Sequence, residues 1–172
     1  MSEIFHSIPP VYSSQSRILI LGSFPSVRSR EIGFFYGHPQ NRFWKTLAGL
    51  LGEAVPQSID EKKIFLESHG IALWDVIASC EIVGSSDASI RNARPNDLTK
   101  ILAVAPIRGI FTNGATADKL YRKYLRGSVG MDAVCLPSTS PANAAWSAGR
   151  LLEGWRVILD CLQKGEDNRE TQ

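Results

Sequence analysis

Apolar residues fall along the chain in two kinds of pattern. Ile18 to Leu21 is a continuous apolar run stopped by Gly22 and Pro25, which predicts a buried strand. Residues 23–40 are broken by Gly33, Gly37 and Pro39 and read as irregular. After Asn41, the residues Phe43, Leu47, Leu50 and Leu51 stand at i, i+4, i+7 and i+8, so a helix with one apolar face is expected. Ser58 and Glu61 form a capping box and Gly70 closes the helix between, Ile59 to His69. IALWDVIA, residues 71–78, reads as the second strand, and 81–95 as one long polar loop, a length more often functional than idle. Asn96 is expected to cap a short helix through Leu102. Arg108–Thr112 and Ala133–Leu136 are the remaining strands. The helix between them carries Leu120, Tyr121, Tyr124 and Leu125 on one side. A last helix carries Leu151, Trp155, Ile158 and Leu162 on one face.

Strands alternating with helices at this spacing imply a parallel sheet covered on both faces, because parallel crossovers place helices outside the sheet. The expected fold class is therefore α/β, a three-layer α/β/α sandwich around a central four-stranded parallel sheet. A chain of 172 residues, 44% hydrophobic, suffices for one such domain. We place it at 17–163, after a polar lead-in, 1–16, that packs loosely through Ile4, Phe5, Ile8 and Tyr12, and before a frayed tail, 164–172.

Composition narrows the picture modestly. No apolar run approaches the roughly 20 residues of a spanning helix, and no signal-peptide pattern opens the chain, so a soluble, cytoplasmic protein without membrane association is expected. Cys80, Cys135 and Cys161 are far apart and show no metal-ligand spacing with His6, His38 or His69. They read as buried free thiols. The net charge of +2 permits a polyanionic partner without requiring one. Arg28, Arg30, Arg42 and Lys45 crowd the first loop region, either as a basic rim or as a solvated face.

In an open parallel sheet the loops after the strands gather at one edge, which brings GSFPS, WDV, TNG and PSTSPANAAWS together. Neither GxxxxGK[ST] nor GxGxxG occurs, which excludes the familiar phosphate loops. His38 is the one histidine near these loops and has no acid beside it in sequence, so a nucleophilic serine is not supported. A neutral, aromatic and amide-rich site remains, suited to a nucleobase. Phe24, Phe34, Phe35 and Tyr36 offer stacking faces, with core packing as the alternative for each. Asn41 and backbone N–H groups can read a base edge.

GSFPS, GHPQNRFW and PSTSPANAAWS together resemble the uracil-DNA glycosylase superfamily, most of all its hypoxanthine (deoxyinosine) branch, family 6, over Arg17–Leu162. HPxNRFW is shared with the mismatch-specific uracil and thymine glycosylases. The resemblance implies a monofunctional glycosylase that flips a deaminated base out of DNA and hydrolyses its N-glycosidic bond, without metal or cofactor, as a monomer with no obligate protein partner. It places Gly22, Ser23, Phe24, Pro25, Phe35, Tyr36, Trp74, Asp75 and Asn113 at the base, and Ser138, Ser140, Pro141, Ala142, Asn143 and Arg42 against DNA. Phe24 stands where most branches carry the acid or amide of G-x-D/N-P. In the hypoxanthine branch Asn41 takes that water-orienting part, and its alternative is a helix cap. Asp75 and Asn113 are equally readable as strand-end hydrogen bonders, Trp74 as core, and Ser140-Pro141 or Ser147 as the start of the last helix. Uracil or a mispaired base as substrate, a catalytically silent nucleic-acid-binding domain, and a small-molecule α/β protein are the competing readings.

Overall fold

The computed structural model describes the backbone of residues 2–170 and the side chains of residues 2–163. In chain order its strands are β1 (Ile4–Phe5), β2 (Ile18–Gly22), β3 (Ile71–Asp75), β4 (Ile77–Glu81), β5 (Arg91–Pro95), β6 (Gly109–Asn113) and β7 (Ala133–Leu136). Its helices are α1 (Val27–Ile32), α2 (Phe43–Leu51), α3 (Ile59–Ser68), α4 (Thr99–Leu102), α5 (Ala115–Tyr124), α6 (Arg126–Val129), α7 (Ala148–Trp155) and α8 (Val157–Glu170). The expected tail, 164–172, falls on residues whose side chains, and at 171–172 whose backbone, lie outside the described residues.

Four strands in the order β3-β2-β6-β7, all parallel, form the central sheet, flanked by helices as expected. Every residue of β2 and β3 is buried, which is what a strand covered on both faces requires and why both read as apolar runs, β3 up to its last residue, Asp75. The chain leaves β2 toward β3 on one side and later runs from β6 toward β7 on the other. The loops after β2 and β6 therefore part company, and a crevice opens between them. Phe43 and Leu47 of α2 are fully buried, and Phe43 meets Trp155 of α7 edge to face at 5.7 Å.

Two features of the fold differ from expectation. IALWDVIA is not one strand. At Val76 the chain passes from the parallel sheet into a second, antiparallel sheet, β1-β4-β5. Val76 N–H still donates to Gly22 O (2.8 Å) and Ile77 N–H to Ser23 O (3.1 Å), so the break falls where β2 itself ends. Both halves are buried, and burial conceals the joint from any reading of periodicity. The polar segment 81–95 likewise contains β5, a strand with mostly exposed residues and no apolar alternation to announce it.

Smaller differences follow from hydrogen bonding. Asn96 does not cap α4. Its Nδ2 donates to the carbonyls of Asp75 (2.9 Å) and Ile77 (3.2 Å) and so clamps the joint, while Asp97 Oδ1 accepts from Thr99 N–H (2.9 Å). The last helix is two, α7 and α8, and a capped turn of helix, α1, stands in the first loop with Ser26 Oγ accepting from Ser29 N–H. The lead-in is held more firmly than its polarity suggests. β1 pairs with β4, Val11 bridges Leu73, and Ile8 and Val11 are buried, although Phe5 is 67% exposed. The cysteines are free, but only Cys80 is buried; Cys135 is exposed and Cys161 half-buried.

Candidate functional site

A cavity of about 340 Å³ occupies the crevice beyond the carboxyl ends of β2, β3 and β6. The loop after β2 brings Gly22, Ser23, Phe24 and Pro25 to it, and the segment before α2 brings Phe35, Tyr36 and Asn41. Asp75 and Asn113 reach it from the ends of β3 and β6, and Ser138, Ser140, Pro141 and Ala142 from the loop after β7. Four expected residues lie outside the lining. Trp74 is buried under Lys100, whose Nζ sits 4.7 Å from its ring. Asn143 Nδ2 donates to Ser138 O (2.9 Å), and Arg42 donates to the carbonyls of Asn143 (3.0 Å) and Trp146, holding the last loop rather than presenting a free cation. Phe34 belongs to the core, lying nearly parallel to Trp44 at 6.1 Å.

Sequence reasoning missed the residue that joins the motifs. Thr139 is fully buried. Its N–H donates to Asn113 Oδ1 (3.1 Å), its Oγ1 accepts from Asn113 Nδ2 (3.0 Å), and its hydroxyl proton goes to Asn41 Oδ1 (2.8 Å). Its carbonyl accepts from Arg42 N–H (3.1 Å). Phe43 N–H donates a second bond to Asn41 Oδ1 (3.0 Å). Asn41 thus does turn its oxygen toward the start of α2, and both hydrogen bonds of that oxygen are internal. Its Nδ2 makes no hydrogen bond among the described residues and remains as a donor.

The floor of the cavity is acidic, not neutral as its motifs suggested. A Cβ at Gly22 would fall within 3.0 Å of both Asp75 Oδ1 and Tyr36 Oη, so these two oxygens converge over a backbone that glycine alone leaves open. His6, from the lead-in, is buried against Asp75, with Nε2 2.7 Å from Oδ2. Its Nδ1 accepts from Ile8 N–H (3.2 Å), which puts the ring proton on Nε2 and makes Nε2–H the donor to Asp75. The sequence reading found no acid beside a histidine because this pair is separated by most of the lead-in and the first crossover. Tyr36 sits at φ 53°, in left-handed backbone, and stacks on Phe43 at 4.1 Å. Its hydroxyl is buried without a well-formed hydrogen bond, and the Asn113 amide is the polar side chain beside it. Burial, and then the charge of Asp75, push its pKa far above the ordinary tyrosine range.

A second acid, Asp87, enters from the polar segment after β4, where Ser23 Oγ–H donates to its Oδ1 (2.8 Å). The residue as a whole is accessible, but packing around its carboxyl raises its pKa above the usual carboxylate value. Asp75 adds to that shift and the Ser23 hydrogen bond opposes it. No group of three or more His, Cys, Asp or Glu residues suited to a metal ion occurs among the described residues, and no helix among them is long and apolar enough to cross a membrane. The site therefore offers a fixed acceptor and donor pair on its floor, an amide donor on its wall, a carboxylate at its mouth and serine-rich backbone on its rim.

Comparison with known proteins finds relatives over most of the chain. Residues 9–159 match the model of the uracil DNA glycosylase superfamily. A hypoxanthine DNA glycosylase of Methanosarcina acetivorans is 36% identical over 158 residues, covering 91% of this chain and 98% of that protein. One of Methanosarcina barkeri is 34% identical over 138 residues, 78% of this chain and 85% of that protein. The solution NMR structure of a candidate uracil DNA glycosylase from Methanosarcina acetivorans superposes with a TM-score of 0.77 at 33% identity, covering 91% of this chain and 96% of its own. The chain belongs to the uracil DNA glycosylase superfamily.

Proposed function

We propose that this protein is a monofunctional DNA glycosylase that takes hypoxanthine out of DNA. Support comes from the relatives at 36% and 34% identity, named hypoxanthine DNA glycosylases, and above all from the floor of the cavity. Asp75 Oδ1 can accept and Tyr36 Oη–H can donate, both oxygens converging on the space over Gly22. Hypoxanthine presents N1–H beside a carbonyl, which complements that pair. Adenine presents the reverse, an acceptor nitrogen beside an amino group, and would leave both protein groups facing like partners at a site where unmade hydrogen bonds are costly. Uracil shares the N–H and carbonyl pattern, and its excision is the second reading.

The base must leave the stack to reach the cavity, with the serine-rich loop 138–142 and Asn143 against the strand it leaves. Cleavage builds positive charge on the sugar and negative charge on the departing base. The DNA phosphates stabilise the first, and Tyr36 Oη–H meets the second. Asn41 Nδ2–H orients the attacking water, held by Thr139. The protein works as a monomer in the cytoplasm, on DNA carrying deaminated bases. The catalytic unit spans 17–163 with the lead-in supplying His6. The test is chromatographic measurement of free base released from duplexes carrying deoxyinosine, deoxyuridine or only normal bases. Release of hypoxanthine without adenine supports the reading; release of uracil alone moves the substrate to the second reading, and release of no base refutes both.

A further inference from the structure

Resting on the glycosylase reading, we propose that Asp87 is a catalytic residue, the carboxylate that holds the attacking water and takes its proton. The need for such a group arises from Asn41. An amide activates water by accepting its proton in a hydrogen bond, yet Asn41 Oδ1 already receives Phe43 N–H and Thr139 Oγ1–H, and only Nδ2–H faces outward. Nδ2–H can place a water by donating to it, but cannot draw off a proton. Phe24, at the tip of the first loop, is a hydrocarbon ring packed edge-on against His6 at 6.0 Å and supplies no acceptor. Asp75 is 3% exposed, has Oδ2 occupied by His6 Nε2–H, and lies on the floor with the base.

Asp87 has the remaining carboxylate, and its position suits the sugar. It lines both the base cavity and the open groove that runs on past Pro137 to Trp146. A flipped nucleotide has its base in the cavity and its phosphates in the groove, so C1′ must sit at their common boundary. Asp87 stands at that boundary, and Ser138 and Ser140 likewise line both spaces. The segment that carries it is anchored at three points. Ser85 Oγ accepts from Val27 N–H (2.9 Å), Gly84 O accepts from Arg30 Nη2 (2.8 Å), and Asp87 Oδ1 accepts from Ser23 Oγ–H (2.8 Å). Oδ2 makes no hydrogen bond among the described residues, so one oxygen fixes the carboxylate and the other is left to accept from a water.

The step balances without a further reactant. A water lone pair forms the C1′–O bond as the C1′–N9 pair departs with hypoxanthine, one water proton passes to Asp87, and that proton then returns through solvent to the released base. The products are an abasic site and neutral hypoxanthine. The groups facing Asp87 are the Asp75 carboxyl from β3, the Ser23 hydroxyl from the first loop, the Tyr36 phenol and the Cys80 thiol from β4. Burial and Asp75 raise the carboxyl's pKa, which strengthens it as a base.

The test is single-turnover excision from a deoxyinosine duplex across the acidic to neutral range, with D87N, D87E and S23A beside the wild type. D87N keeps the acceptor for Ser23 and removes the base, so its rate constant is expected to fall about 10²-fold or more. The acid limb of the wild-type pH profile should vanish with it. D87E should recover part of the rate, and S23A should keep the limb but shift it to higher pH. Binding of the same duplex, followed by fluorescence anisotropy, should be retained by D87N and D87E. A D87N rate near wild type, or an acid limb surviving in D87N, overturns the assignment while leaving the glycosylase reading intact. A wild-type protein that releases no base overturns both.

Discussion

Replacing Thr139 with valine tests the joint on which the site depends. The substitution preserves shape and β-branching but removes Oγ1, and with it the bonds to Asn41 Oδ1 and from Asn113 Nδ2. The backbone bonds of residue 139 to Asn113 Oδ1 and from Arg42 survive, so the loop stays in place. One amide proton of Asn113 loses its partner and Asn41 keeps one of two anchors. A buried group left unpaired costs about 1–3 kcal/mol. At about 2–4 °C per kcal/mol for a domain of this size, the melting temperature should fall by roughly 2–12 °C. Catalysis should suffer more. An Asn41 amide free to swing misplaces the water, and a misplacement on the order of 1 Å costs about 10²-fold in rate. Thr139→Ser removes a methyl, worth about 0.8 kcal/mol, and keeps both hydrogen bonds, so its rate should stay near wild type. Thermal unfolding and single-turnover excision read the two effects separately. A Thr139→Val protein that cuts at the wild-type rate, or a Thr139→Ser protein as slow as Thr139→Val, would refute the relay.

Three further outcomes follow from the same contacts. Gly22→Ala drives a methyl into Asp75 Oδ1 and Tyr36 Oη, costing about 1–3 kcal/mol of stability by urea unfolding and closing the floor to the base; an active Gly22→Ala enzyme would contradict the convergence of those atoms. His6→Ala strips Asp75 Oδ2 of its donor and should cost about 1.5–3 kcal/mol, whereas an unchanged unfolding midpoint would show that the pair contributes nothing. Asp87→Asn should raise the melting temperature at neutral pH. A carboxyl whose pKa is raised in the folded state opposes folding when ionised, so the advantage of Asn should shrink as pH falls through the raised value toward the ordinary one near 3.8. An advantage that grows on acidification would reverse the sign of that argument.

The parallel sheet was legible because β2 and β3 are buried on both faces and so are written as apolar runs, and because the loops after such strands share one edge. That rule alone gathered Gly22, Asp75, Asn113 and Ser138 correctly around one cavity. What escaped has specific causes. Burial on both sides of Val76 erased the boundary between two sheets. β5 has mostly exposed residues and pairs through its backbone, which leaves no pattern in side chains. His6 sits in a lead-in whose polarity argued for loose packing, yet its ring makes the bond that orients Asp75. Asp87 was one polar residue among many in a loop, with nothing in sequence to say that Ser23 would receive it. Thr139 lay between two serines taken for DNA contacts, and its importance comes from what is across the cavity, which no local pattern encodes.

The measurement that bears most directly on the account is single-turnover incision of end-labelled oligonucleotides carrying deoxyinosine or deoxyuridine, in single strands and opposite each normal base, with and without alkali. Strand cleavage is expected at deoxyinosine only after alkali, as befits hydrolysis without lyase action, and should be lost in Asn41→Ala with duplex binding retained. Cleavage without alkali, deoxyinosine turnover undiminished in Asn41→Ala, or a folded wild-type protein that leaves every substrate intact would contradict it.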